Sequence, residues 1–296
     1  VDYIYWAGGG VGHLSASNYE LLDSFTIGQI DIIAQTAARQ IGGAFGSISL
    51  FEDIYANKNY SDVNISISDD GDPSVQNVGG FIGYIAAKGS LTQGFASGNI
   101  SINTNSSITN EIGGFDGCSN DANFEEVYAV NSVIGKKNVG GLIGQLSGTI
   151  TNSYARGNVI GNSQVGGLVG QMTHSDGSDE NPAQYSSITN SYSVGLVELR
   201  DEERQPVDLG GLVGASSSEL STVTNSFWDI EASVMETSAG GTPKTSEELK
   251  TITTFTNAGW DFDQTWMILS ENYTYPRLAF NTIEVESWTD LHNMRN

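Results

Sequence analysis

Cysteine is almost missing from this chain: Cys118 is the single one in 296 residues. One thiol forms no intrachain disulfide and builds no zinc site by itself, so neither staple supports the fold. Histidine is scarce as well. His13, His174 and His292 share no H-x-x-x-H or H-E-x-x-H spacing, which speaks against a catalytic zinc. Basic residues number 12 against 35 acidic ones, a net charge of −23. Such a field repels phosphate backbones and anionic headgroups, so nucleic acid and membrane insertion are not expected; multivalent cations suit it best. No apolar run approaches the ~18 residues of a spanning helix. There is no Gly-x-Ser-x-Gly elbow, and no Gly-rich segment ends in Lys-Ser/Thr as a phosphate loop does. The chain begins at Val1 without Met or a signal-peptide pattern, which reads as a processed or excerpted piece.

Glycine fills the space those residues leave. There are 36 Gly and 5 Pro, and charged residues make up 16%, below the roughly 25% of an average domain. An apolar content of 38% argues against disorder, and the excess of Ser, Thr, Asn and Gly suits short strands joined by turns. The pattern Gly-Gly-x-x-Gly starts at Gly8, Gly42, Gly79, Gly113, Gly140, Gly166 and Gly210. Unequal intervals around a constant motif describe a fixed coil with loops of different length inserted into it.

A second motif follows each Gly cluster: an apolar residue, three others, then an aromatic. The pairs read as Leu21/Phe25, Phe51/Tyr55, Leu91/Phe95, Phe124/Tyr128, Ile150/Tyr154, Ile188/Tyr192 and Val223/Phe227. A small residue comes next (Thr26, Ala56, Ala96, Ala129, Ala155, Ser193), until Trp228 breaks the rule. Stacking such coils at about 4.8 Å predicts an internal ladder of aromatics. Glycine at the motif predicts either close backbone approach or positive φ. A helical reading fails, because Gly at this density costs about 1 kcal/mol per helical position and no 3.6-residue period is present. The expected fold is all-β: a right-handed parallel β-helix or β-solenoid of about seven irregular coils, with a C-terminal cap containing one short helix.

The string Val139-Gly-Gly-Leu-Ile-Gly-Gln-Leu-Ser-Gly-Thr-Ile-Thr-Asn-Ser-Tyr-Ala-Arg-Gly-Asn-Val159, followed by Val165-Gly-Gly-Leu-Val-Gly170, resembles the GLUG repeat. The resemblance covers about residues 139–280 closely and 1–138 more loosely; Asp116 stands where an aliphatic residue is usual. It implies the large secreted and surface proteins of bacteria and archaea in which such repeats occur, adhesin-like proteins and some secreted peptidases among them. It carries no catalytic residue to transfer.

Past the seventh copy, Thr245-x-x-Glu248 forms a capping box that opens a short helix. Trp260, Phe262, Trp266, Tyr273 and Tyr275-Pro276-Arg277-Leu278 supply the aromatic cap that an open last coil requires. The expected organisation is a solenoid over 1–227, a cap over 228–281, and a linker or start of a following module over 282–296. That last stretch also has the makings of a strand that docks on a neighbouring subunit.

Candidate sites are few. Asp69-Asp70-Gly71-Asp72 is a possible Ca²⁺ loop, although it lacks EF-hand spacing, and Asp176-Gly177-Ser178-Asp179-Glu180 is a second acidic loop. Asn59, Asn64, Asn99, Asn105 and Asn272 open N-x-S/T sequons and are the glycosylation candidates. No pair of carboxylates is singled out for acid–base chemistry. The expectation is an extracellular structural or adhesive protein and not an enzyme, with the solenoid as rigid spacer or as subunit of a surface filament or layer. Its expected partners are copies of itself, neighbouring modules, or a cell-surface glycan or protein. The alternative is a β-helix module, non-catalytic or acting on polysaccharide, in a larger secreted enzyme.

Overall fold

The computed structural model describes residues 3–16, 19–50, 54–69, 71–106, 108–175, 184–200 and 207–281. They form a β-solenoid of three parallel sheets, each Gly-Gly pair opening one rung, so that seven corners bound about six turns. Strands of the first sheet end on the Gly-Gly pairs, as Lys137–Gly140 and Ser163–Gly166 do. Those of the second sheet begin just after them, as in Ile143–Thr151. The third sheet starts at the aromatic positions, as in Tyr154–Ala155 and Val159–Gly161. Register is strict: Gly42, Gly79, Gly113, Gly140, Gly166 and Gly210 stand one above another.

Close backbone approach, and not positive φ, explains the Gly-Gly corner. A Cβ placed on Gly140 would meet the carbonyl oxygen of Ile143 at 1.9 Å, and one on Gly141 would meet that of Gly167 at 2.2 Å and the Ala155 methyl at 2.9 Å. The small residue after each aromatic therefore faces the second glycine of the corner. Trp228 departs from the rule at the last Gly-Gly corner: its ring lies against Gly211, and its Nε1 donates to Met235 O at 3.0 Å.

Left-handed backbone falls on other residues. Asp23, Lys58, Gln93, Glu126, Asn152, Asn190 and Asn225, each two positions before the ladder aromatic, take φ of 48–55°. Gln40, Asn77, Glu111, Asn138, Gln164 and Asp208, each two before a Gly-Gly pair, take 49–62°. Asn and Asp tolerate this region best, and at every rung the same bend recurs.

The stacked aromatics face outward, which corrects the expected internal ladder. Strands alternate, so with Ala155 turned inward Tyr154 points away from the core. The second member of the ladder is Tyr60, not Tyr55: Tyr60 pairs with Phe25 and Phe95, and Ala56 occupies the apolar position beside Leu21 and Leu91. Tyr55 belongs to the second sheet and is 45% exposed. Phe51, offered as its apolar partner, lies outside the described residues. Ring centroids along the ladder are 4.8 Å apart for Tyr60–Phe95, 5.0 Å for Phe95–Tyr128, 4.8 Å for Tyr128–Tyr154 and 5.2 Å for Tyr154–Tyr192.

Two apolar columns fill the interior instead. One runs through Phe81, Phe115, Leu142, Leu168 and Leu212 with Ile85, Leu146 and Ile150; the other is mostly Val and Ile, from Ile41 through Val78, Ile112 and Val139 to Val165. Both thin out at the N-terminal rung, where Val11, Leu14, Leu21, Ile4 and Ile30 are only partly buried.

The C-terminal segment closes the other end and also runs along the outer ladder. It holds two short α-helices where one was expected: α1 (Ile230–Ser233) and α2 (Ile252–Thr256), with a 3₁₀ turn over Glu248–Lys250. Thr245 N donates to Glu248 Oε2 at 2.8 Å and Glu248 N to Thr245 Oγ1 at 3.2 Å, the reciprocal pair of a capping box. Asp229 caps α1 through Glu231 N and Ala232 N and also accepts from Ser246 and Tyr275 hydroxyls, both at 2.7 Å. Trp260 stacks on Phe227, Trp266 packs beside Tyr192 and Tyr154, and Phe280 reaches Tyr128. Arg156 ties the two layers together. Its Nε donates to Tyr192 Oη at 2.8 Å, its guanidinium lies 4.7 Å from the Tyr154 ring centroid, and it also donates to Pro276 O.

Candidate functional site

A groove lined mainly by hydroxyl- and amide-bearing residues lies on the outer face of the second sheet. Its volume is about 420 Å³, and it crosses five consecutive rungs, from Tyr84 through Cys118, Gln145 and Thr173 to Ser217. Register explains the arrangement: Tyr84, Cys118 and Gln145 are consecutive partners in the ladder, so one outward position of the repeat becomes a row. Gln145 Nε2 approaches Cys118 Sγ at 3.8 Å while its Oε1 accepts from Asn138 Nδ2 at 3.2 Å, which fixes the amide. Thr173 Oγ1 donates to Leu146 O at 3.0 Å. Ser147 lines the groove, and its hydroxyl is buried with no hydrogen-bond partner. At one side His174 stacks on Tyr185 with centroids 6.0 Å apart.

Cys118 is 8% exposed, and burial pushes its thiol well above the ordinary range, with Asp116 and Glu111 adding to the rise. A thiol held protonated is a poor nucleophile. Tyr84 is raised as well, chiefly by burial, while a hydrogen bond with Asn120 opposes the shift.

Two acids beside the groove titrate abnormally. Asp116 takes the place of Ile82 and Ile143 in the register and is fully buried, and neither oxygen has a hydrogen bond of good geometry. Burial drives its pKa well above the ordinary carboxyl value, and the Cys118 backbone amide offsets only part of the rise. Glu111 is pushed up to about 7, first by burial, with Lys137 and Asn138 opposing. A carboxyl group raised in the folded state contributes most below its unfolded pKa of about 4, and that contribution is lost as pH rises through the folded value. Asp116→Val is therefore expected to raise stability by about 1–3 kcal/mol at neutral pH, with a larger gain at pH 8 than at pH 5 in urea titrations. Glu111→Gln is expected to flatten the remaining fall in stability between pH 5 and 8; equal slopes in variant and wild type would contradict the assignment.

The residues proposed from sequence are dispersed. Asp69 ends the strand Tyr60–Asp69, and its Oδ2 accepts from Asn105 N at 2.5 Å; Asp72 is exposed, and Asp70 lies outside the described residues. The acidic loop 176–180 lies outside them too. Among the described residues no group of three or more His, Cys, Asp or Glu is placed to hold a metal ion. Of the sequons, Asn59 must be withdrawn as a glycan acceptor. It is 2% exposed, with Nδ2 donating to Leu21 O at 3.0 Å and Oδ1 accepting from Ser24 N at 3.1 Å. It fills the position held by Ser153, Ser191 and Ser226, whose hydroxyls accept from the preceding rung. Asn64 and Asn99 are exposed, and their Oδ1 atoms accept from Asn99 N and Ser132 N. Asn105 and Asn272 are exposed.

The groove could not be read from sequence because its residues share no motif. The signal that would have found it is the outward position two residues beyond the aliphatic that follows each Gly-Gly pair, aligned across rungs.

Similarity to known proteins covers part of the chain. A relative in Evansella cellulosilytica, whose name describes a Gly-rich membrane protein, is 36% identical over 95 residues, 31% of this chain. The matched stretch spans only 10% of that protein's length. No solved structure matches. The family model of the GLUG motif matches residues 135–160, the rung that contains the Gly140–Gly141 corner and Tyr154. The chain thus carries the GLUG motif, at residues 135–160, within a Gly-rich β-solenoid.

Proposed function

We propose that the chain is a structural or adhesive protein of the cell surface, with the solenoid as a rigid spacer and its outer face as contact surface. The observation that carries this reading is the unbroken stack of parallel rungs, each held to the next by backbone bonds and by rows of similar side chains. Such a stack gains an interface and length with every added rung, and six steps of about 4.8 Å make ~29 Å of reach. The membrane-protein name of the Evansella relative and the net charge of −23 support a surface role. The proposed role is non-enzymatic: burial holds the Cys118 thiol protonated, a poor nucleophile, and encloses Asp116 in the core. Association with neighbouring modules falls to the N-terminal rung, because the C-terminal end is covered by its own chain.

Labelling intact source cells with a membrane-impermeant biotin reagent tests the location. Recovery of the labelled chain is expected. A chain labelled only after lysis, with surface controls labelled before it, would overturn the proposal.

A further inference from the structure

We propose that the groove on the second sheet binds a neutral, linear oligosaccharide lying along the solenoid axis. Three features point to this class. First, among the described residues the lining carries hydroxyl, amide, thiol, imidazole and aromatic groups and no Asp, Glu, Lys or Arg, although the chain as a whole bears 35 acidic residues. Among these residues an anionic ligand would meet no Lys or Arg, and a cationic one no carboxylate. Second, the polar groups repeat with the rungs, about 4.8 Å apart. A polymer of hydroxyl-bearing rings, itself a short linear repeat, can present donors and acceptors at successive rungs. Third, the site is prepared. Gln145 is held by Asn138 and Cys118, and Ser147 offers a buried hydroxyl with no partner of its own. A ligand hydroxyl that meets Ser147 satisfies a group otherwise left without a hydrogen bond. Groups already held in place lose little entropy on binding.

A peptide fits less well. Extended peptides recognise sheets by adding to an edge, but four of the five strands beneath this groove pair on both sides, so their main-chain groups are spent, and only the last, Val213–Ser216, pairs on one side. The volume of about 420 Å³ lies within the ~300–1,000 Å³ common for small-ligand sites and matches a short stretch of sugar units.

This inference rests on the surface reading only in placing the groove where glycans are met, and the two fail separately. An array of neutral glucans, mannans and chitin oligomers beside uronate, sulfated and sialylated glycans is the first test. Binding to a neutral linear glycan and not to the anionic ones is expected. Titration calorimetry with that glycan should then show at least tenfold weaker affinity for Gln145→Ala and for Ser147→Val, both melting within a few degrees of the wild type. Binding to no neutral glycan, equal binding of anionic ones, binding of a peptide in their place, or unchanged affinity in both variants would each overturn the proposal. Surface-labelled chain without glycan binding removes the groove assignment alone.

Discussion

Trp266→Ala is expected to destabilise the chain by about 3–5 kcal/mol, the range for deleting a buried large aromatic. Trp266 is 1% exposed and lies 6.2 Å from Tyr154, 6.0 Å from Tyr192 and 4.5 Å from Trp260 between ring centroids. Its Nε1 also donates to Asn152 Oδ1 at 3.4 Å. Removing it opens a cavity between the cap and the outer ladder and leaves two tyrosine faces without cover. Because a solenoid's stability is carried rung by rung, the first consequence should be local: release of 249–281 before the rungs unfold. Limited proteolysis and near-UV circular dichroism, followed by urea denaturation, would show it. Tyr273→Ala is the matched control, since Tyr273 is 80% exposed and its loss should shift the midpoint little. Equal effects of the two substitutions would mean that the cap is not anchored through the ladder.

The second large effect concerns the corner. Gly140→Ala places a Cβ 1.9 Å from Ile143 O and 2.8 Å from Gly170 N, both backbone atoms inside the stack. Neither can move without shifting its own ladder, so a loss above ~4 kcal/mol or failure to fold is expected. Gly10→Ala provides the contrast within the same motif: its Cβ would find Ala44 O at 3.4 Å and the Thr26 methyl at 3.5 Å, ordinary contact distances. That position is occupied by Ala44, Phe81, Phe115 and Leu142 in later rungs, so side chains are normal there. The melting temperatures of the two variants should differ sharply; similar values would remove the close-packing account of the motif.

These two sites also show how far the sequence could be read. Seven Gly-Gly pairs and their trailing aromatics were enough to establish a repeating coil, its parallel stacking and its closing cap, because those features depend on composition and spacing. The Tyr55–Tyr60 error has a local cause. Tyr55-Ala56 imitates the aromatic–small pair, while Ala56 is an unusually small member of the apolar row, so only the register of neighbouring rungs separates them. Asn59 misled for a related reason. A sequon is three residues long, but burial belongs to the rung, and Asn59 stands in a serine row that hydrogen-bonds between coils.

The sequence by itself determined that this protein is an acidic, Gly-cornered stack of short parallel strands, since a motif recurring at every rung can be met only by one repeated backbone path. The tertiary structure alone decided which way each row faces. Whether Tyr154 points into the coil or out of it, whether Asp116 meets solvent or aliphatic side chains, and which polar groups line one groove all depend on contacts between residues 26 to 44 positions apart along the chain. Such contacts leave no periodic trace within a single copy. They appear when the rungs are stacked and each row acquires neighbours above and below.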